Sequence, residues 1–213
     1  MDQKLEDYIL SHIDPEPDVL HRLNGDTHRE CLYPDMCSGH LQGRLLKMIV
    51  RMIRPQRILE LGTFTGYSAL AMAEGLDTGA CLHTIEVNDE MEDFIRRHFD
   101  MSPYGEHITL HIGNALELID QVSRSYGPWD LVFIDANKRH YCDYYNAVKP
   151  YVSPGGFILA DNTLWYGKVG TDAHDAQTLG ILKFNDMVAQ DPDVETVMIP
   201  LRDGLTLLHM KND

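Results

Sequence analysis

The chain has 213 residues, a hydrophobic fraction of 44%, a charged fraction of 24% and a net charge of −15 from 18 basic and 33 acidic residues. These values describe an ordinary folded protein with one full-sized core, and the negative field works against a general polyanion binder. No apolar run reaches the roughly 18 residues of a membrane span, and MDQKLEDYILSHIDPEPDVL has neither the basic nor the apolar stretch of a secretory signal, so a cytoplasmic location is expected.

In chain order, the first 55 residues read as mostly helical, broken at Asp14-Pro15-Glu16-Pro17 and by a loop around 31–43. Arg44, Lys47, Arg51 and Arg54 follow at spacings of three, four and three, which puts them on one helix face. Leu41, Leu45, Ile49, Met52 and Ile53 cover much of the opposite face. The plain reading of this stripe is a solvated amphipathic face; a local contact to nucleic acid is the alternative.

From about residue 57, strand-like runs alternate with helix-like segments. The runs are RILEL (57–61), CLHTIEV (81–87), HITLHI (107–112), WDLVFID (129–135) and GFILAD (156–161). Between them lie YSALAMAEGL, DEMEDFIRRHF, NALELIDQVSRSY and HYCDYYNAVKPYV, each long enough for a crossover helix. The alternation predicts an α/β fold, with βαβ units, a mostly parallel sheet and helices on both of its faces. After a helical stretch near 176–190, VETVMIP (194–200) and GLTLLHM (204–210) are separated by a hairpin-length connection and are expected to pair antiparallel. One domain over 1–213 is expected, with 1–55 as a helical cap and 56–213 as the core.

In open α/β sheets ligands bind beyond the carboxyl ends of the strands, and the unusual residues lie there. The first run ends in Glu60-Leu61-Gly62-Thr63-Phe64-Thr65-Gly66-Tyr67-Ser68. Its G-x-x-x-G spacing allows a tight turn but is not the G-x-G-x-x-G of a dinucleotide site, which argues against a nicotinamide oxidoreductase. A carboxylate at the start of such a loop suits an amino-acid-like ligand with an ammonium group. Glu86, about 20 residues past the loop, is placed for ribose hydroxyls. Gly113-Asn114-Ala115 either borders an adenine ring or caps a helix through Asn114.

The fourth run ends in Asp135-Ala136-Asn137-Lys138 and the fifth in Asp161-Asn162. Neighbouring parallel strands lie about 4.8 Å apart, so Asp135, Asp161 and Asn162 can converge on one point. They offer hard oxygen donors only, the set expected for Mg²⁺, with Mn²⁺ or Ca²⁺ as alternatives. The four cysteines (Cys31, Cys37, Cys81, Cys142) form no CxxC pair and the eleven histidines no HExxH group, which argues against a zinc-type site.

With these motifs the chain resembles the cation-dependent O-methyltransferase family that includes catechol O-methyltransferase and the caffeoyl-coenzyme A O-methyltransferases. The resemblance runs from about residue 33 to 210, through ILELGTFTGYSALAMA, LVFIDANKRHYCDYY, GGFILADNTLWYGKV and PLRDGLTL. It implies a class I methyltransferase sheet, Rossmann-like, with seven strands of which one is antiparallel, and S-adenosylmethionine as the methyl donor. It also implies that Glu60, Gly62 and Ser68 line the methionine end, that Glu86 holds the ribose and that Ala115 lies near the adenine. Asp135 would touch both metal and cofactor, and Asp161 and Asn162 would complete the metal site. Met36 and Ser38 fall in the family segment at 36–43 that closes over cofactor and acceptor; Arg139 and Trp165 join Met36 and Lys138 as candidate acceptor contacts. Family members are commonly dimers. Two departures bear on the acceptor: Thr206 stands where catechol O-methyltransferase has a glutamate, as in the caffeoyl branch, and Ala136-Asn137 replaces an aromatic pair.

The resemblance and the site together predict methylation of one hydroxyl of a vicinal diol, with Lys138 as general base beside the cation, which disfavours its ammonium form. The alternative acceptor is 5-hydroxyuridine in tRNA, for which the basic stripe and Arg139 speak and the net charge does not. A cofactor-binding protein without catalysis is the third reading, and the Asp–Lys–Asp–Asn set argues against it.

Overall fold

The computed structural model describes residues 3–172 and 175–212, residue 3 by its backbone alone. Seven strands, β1 (Arg57–Leu61), β2 (Cys81–Glu86), β3 (Ile108–Ile112), β4 (Trp129–Ile134), β5 (Val152–Asp161), β6 (Val194–Ile199) and β7 (Leu205–Met210), form one mixed sheet in the order β3-β2-β1-β4-β5-β7-β6. The α-helices among the described residues are α1 (Gln3–Leu10), α2 (Asp18–Glu30), α3 (Gly39–Ile53), α4 (Tyr67–Ala73), α5 (Glu92–Asp100), α6 (Ala115–Tyr126), α7 (Tyr141–Val148) and α8 (Ala176–Gln190). Each expected strand and crossover helix is present. None of the helices among the described residues is long and apolar enough to cross a membrane.

Contacts divide the chain into two compact units. The first comprises the residues up to Gln56 with Thr63–Thr84 and Asn88–Ile112. Within it α4 packs against α2 and α3. Gly43 is the point of close approach on α3, since a Cβ there would lie 2.9 Å from the Tyr67 ring. The helix starts at Gly39, earlier than the expected loop allowed, because a 3-10 turn at Pro34–Met36 takes up part of that loop. Its buried residues are Gln42, Gly43, Arg44, Leu46, Ile49 and Val50. The expected faces therefore need correction: Met52 is 71% exposed, while Arg44 points inward. Periodicity located the helix but not its rotation, which is set by a buried carboxylate partner described below.

The second unit comprises Arg57–Gly62, Ile85–Val87 and the chain from Gly113 onward. Here β1, β4 and β5 run parallel, with Leu61 opposite Ile134 and Ile134 opposite Ala160. Leu131, Val132, Phe133, Ile134, Ile158, Leu159 and Ala160 have no exposed surface, as expected for strands covered on both sides, whose sequences read as unbroken apolar runs. β5 begins earlier than GFILAD because Pro154 and Gly155 lie in the register shift between Trp129 and Leu131, where a missing ladder donor costs little. β7 runs antiparallel to both β5 and β6, so the C-terminal hairpin is the expected one.

Candidate active site

Because Ile134 pairs with Ala160, the next residues, Asp135 just past β4 and Asp161 as the last residue of β5, lie at neighbouring strand ends. Asp135 is tied to β1 by its N–H, which donates to the Leu61 carbonyl at 2.9 Å. The approach is close enough that a Cβ at Gly62 would sit 2.1 Å from the Asp135 carbonyl oxygen, so glycine at 62 is a packing requirement of the second unit. The Asp161 side chain is buried, and its Oδ1 accepts the Asn162 N–H at 2.8 Å. Asn162 takes a left-handed conformation (φ 57°), which asparagine tolerates better than most residues.

Lys138 lies on the 3-10 turn Lys138–His140, opened by the Asn137 side chain, which accepts the Arg139 N–H. The side chain is buried, and Nζ donates to Asp135 Oδ1 at 2.6 Å and to the Tyr141 hydroxyl at 2.8 Å. Gly180 of α8 lies against this turn: a Cβ there would come within 2.3 Å of the Lys138 carbonyl. Burial, with the nearby Asp135 and Asp161 charges, holds the Tyr141 hydroxyl well above the ordinary phenol range.

The loop after Asn162 is fixed by the β6–β7 turn. Thr163 donates its N–H to the Gly204 carbonyl, its carbonyl accepts from Asn185 Nδ2 at 2.9 Å, and its Oγ1 accepts from Thr206 Oγ1 at 2.8 Å. Leu164 donates to the Asp203 carbonyl, and the Tyr166 N–H to the Asp203 carboxylate. Trp165 and Tyr166 are both left-handed, with φ of 44° and 55°. Gly204, at φ 90°, leaves no space for a Cβ, which would meet the Leu164 nitrogen at 2.7 Å. Thr206 is thus a brace of the loop that carries Asn162. Burial raises the carboxyl of Asp203 above its usual range. Trp165 Nε1 is buried and finds no hydrogen-bond partner among the described residues.

Of the other candidates in this unit, Glu60 and Glu86 are buried at the ends of β1 and β2. Ala115 is the first residue of α6, and Asn114 caps that helix by accepting the Leu116 N–H at 3.0 Å. Arg139 is exposed. In the first unit, Ser38 is the buried N-cap residue of α3, Met36 is 56% exposed, and Ser68 is buried in the first turn of α4. Thr65 Oγ1, inside the glycine loop, is buried without a hydrogen-bond partner among the described residues.

The basic stripe is largely occupied. Arg44 Nη1 and Nη2 donate to the Glu74 carboxylate at 3.2 and 2.5 Å, Lys47 Nζ donates to the same group at 2.5 Å, and Arg51 reaches the Glu74 carbonyl. Arg54 pairs with Asp77 at 2.9 Å. The expected solvated face is therefore an ion-pair network with a buried centre.

Sequence reasoning singled out Asp135, Lys138, Asp161 and Asn162, and the structure gathers them at the ends of β4 and β5. It missed Tyr141, Gly180, Asn185 and Asp203. Tyr141 was available as the aromatic three residues beyond Lys138, and Asp203 as part of an Asp-Gly turn. Gly180 and Asn185 gave no signal, because their roles arise only when α8 docks. Among the described residues, no three or more His, Cys, Asp or Glu side chains gather as a metal-binding group. The donor set at issue is two carboxylates and one amide, a chemistry that fits a hard divalent cation.

A seven-stranded sheet ended by an antiparallel hairpin, with a glycine turn after the first strand and a carboxylate ending the second, agrees with the class I methyltransferase sheet that the resemblance implies. The family model described as O-methyltransferase matches residues 10–211. Caffeoyl-CoA O-methyltransferase 2 of Eucalyptus globulus is 33% identical over 183 residues, covering 81% of this chain and 74% of its own length. Caffeoyl-CoA O-methyltransferase of Petroselinum crispum is 31% identical over 215 residues, covering 95% and 89%. Among solved structures, the O-methyltransferase TomG from Streptomyces achromogenes, involved in tomaymycin synthesis and solved with SAM, superposes with a TM-score of 0.92 at 30% identity over 100% of both chains. The O-methyltransferase from Bacillus cereus, solved with SAH, gives 0.91 at 25% identity, covering 98% of this chain and 97% of its own. The chain belongs to the cation-dependent O-methyltransferase family, and it is an S-adenosylmethionine-dependent O-methyltransferase.

Proposed function

We propose that the enzyme methylates one hydroxyl of a small vicinal diol of the catechol or caffeoyl class, with a divalent cation, Mg²⁺ first, held by Asp135, Asp161 and Asn162. The observation that carries this reading is the meeting of Asp135, Lys138 and Asp161 at two adjoining strand ends. The relatives named as caffeoyl-CoA enzymes support the acceptor class. A cation bound there supplies positive charge that offsets Asp135 and favours an ionised hydroxyl. Lys138 Nζ, as the neutral amine, would take the proton of that hydroxyl, and the oxygen would bond to the methyl carbon as the sulfonium S–CH3 bond breaks, leaving S-adenosylhomocysteine. Binding and orientation of the two substrates supply much of the rate.

In the same proposal, Glu60, Gly62, Ser68, Glu86, Ala115, Ser38 and Asp135 hold the methyl donor, and Met36, Arg139 and Trp165 face the acceptor. The unpartnered Thr65 hydroxyl supports a polar ligand at the glycine loop, and the Trp165 indole N–H is a donor still lacking its acceptor. A single catalytic domain and a cytoplasmic location, both expected from the sequence, and a homodimer, implied by the resemblance, belong to the same proposal. The tRNA alternative loses its main support, because Glu74 and Asp77 engage the stripe.

The test is Asp161→Ala, assayed with labelled S-adenosylmethionine and a panel of vicinal diols, with and without Mg²⁺. Methyl transfer is expected to fall about 100-fold or more while the circular dichroism spectrum is kept. Full, EDTA-resistant activity in the variant would sink the metal site.

A further inference from the structure

The resemblance assigns Tyr141 no role, yet it touches both halves of the strand-end cluster. A phenolic hydroxyl has one proton to donate, and its oxygen accepts. The Tyr141 proton faces the Asp161 carbonyl at 2.9 Å, with the Ile134 carbonyl at 3.3 Å as a weaker second acceptor. Its oxygen therefore accepts an N–H of Lys138 Nζ, which donates as amine or ammonium, at 2.8 Å. The direction of the relay is fixed: Lys138 donates to Tyr141, and Tyr141 donates to the backbone of Asp161.

The ring that carries this hydroxyl is itself immobilised. Tyr141 has no exposed surface, and Phe184 meets it edge-on at 5.4 Å and 88°, with Tyr144 at 6.5 Å and 66°. Phe184 and Gly180 both belong to α8, so one helix presses on the Tyr141 ring and on the Lys138 backbone. Lysine is a flexible side chain whose ordering is costly. Here two fixed oxygens, Asp135 Oδ1 and Tyr141 Oη, confine its ammonium.

We propose that Tyr141 is a positioning residue for methyl transfer: its hydroxyl couples the place of Lys138 Nζ to the end of β5, where Asp161 and Asn162 sit. This rests on the reading of Lys138 as the group that takes the hydroxyl proton. Tyr141→Phe keeps the ring, its packing and its 5.0 Å contact with Nζ, and removes only the hydroxyl.

The experiment compares wild type, Tyr141→Phe, Lys138→Ala and the double variant, with caffeoyl-CoA and 3,4-dihydroxybenzoate as acceptors and Mg²⁺ present. Tyr141→Phe is expected to lower kcat about tenfold and to leave both KM values within about twofold. In the Lys138→Ala background the same substitution is expected to cost less than about twofold, because the group it positions is gone. A merely structural hydroxyl would lower the melting temperature and leave kcat unchanged, or lower kcat equally in both backgrounds; either result overturns the proposal. If Lys138→Ala itself keeps wild-type kcat, the reading of Lys138 fails and takes the proposal with it. If Lys138→Ala is crippled while Tyr141→Phe is unaffected, Tyr141 alone fails. The wild-type protein gives an answer even if Tyr141→Phe does not fold. In a spectrum of protein labelled with ¹⁵N at lysine Nζ, an exchange-protected ammonium signal that vanishes in Lys138→Ala is expected. Its absence overturns the arrangement.

Discussion

Two clusters of charge in this chain look alike on paper and differ in what the fold does with them. In the first unit, Arg44 and Lys47 converge on Glu74, whose side chain is buried among them. In the second, Lys138 converges on Asp135 beside the buried Asp161. The Glu74 cluster joins helix to helix, with cations and carboxylate matched inside the unit. The Asp135 cluster ends two strands of the sheet and keeps a further polar group close by, the Tyr141 hydroxyl at 2.8 Å from Lys138 Nζ. A buried ion pair within a helix packing is a structural joint. The same chemistry at parallel strand ends lies where α/β proteins bind ligands.

The sharpest way to break this comparison is a crossed pair of substitutions. Glu74→Ala leaves Arg44 buried without its partner, and removing one side of a buried pair costs about 3–5 kcal/mol. Denaturant unfolding is expected to show that loss, while kcat per folded molecule stays within about twofold of wild type. Asp161→Ala is expected to do the reverse, removing activity and sparing stability. A Glu74 variant with a collapsed kcat and unchanged stability would erase the distinction.

A smaller effect comes from pH. Burial alone would raise the Glu74 carboxyl, but hydrogen bonds and charge from Arg44 and Lys47 outweigh it and hold the group below the usual carboxylate range. A carboxyl lowered by folding contributes stability above its unfolded value, about 4.3 for glutamate, and loses it as pH falls through the folded value. The wild-type melting temperature is thus expected to drop more steeply below about pH 4 than that of Glu74→Gln, which has no such carboxyl to protonate. Equal slopes in a differential scanning series would show that Glu74 is not coupled to its cations.

How far the sequence could be read follows the same division. Strand ends are legible because a buried parallel strand is an apolar run, and the first polar residue after it, Asp135 or Asp161, marks where the ligand face begins. The metal-site candidates and Lys138 were found this way. The stripe at 44–54 reads as solvated throughout, although Arg44 is buried, because helical periodicity reports spacing, and spacing does not say which charge has a partner elsewhere in the chain. Glu74 lies 30 residues beyond Arg44, at the end of a helix that reads only as YSALAMAEGL. Tyr141 and Asp203 are visible as residues of a motif and a turn, but their roles are not: a hydroxyl between a lysine and a backbone carbonyl, or a turn carboxylate under a loop, exists only after β4, β5 and the final hairpin have met.

The smallest predicted effect concerns a residue whose two readings the sequence left open. Asn114 follows β3 at a ligand-facing strand end, yet its side chain accepts the Leu116 N–H at 3.0 Å as the cap of α6. A cap satisfies one of the free N–H groups of the first helical turn, and replacing it by alanine costs about 1 kcal/mol. Asn114→Ala is therefore expected to lower stability by about that amount and to leave the KM for S-adenosylmethionine within about twofold. Position at a strand end is then not enough to make a residue functional; its polar atoms must also be left unclaimed by the backbone around it. A tenfold rise in KM with unchanged stability would place Asn114 with the ligand-binding residues and weaken the rule that separates the two clusters.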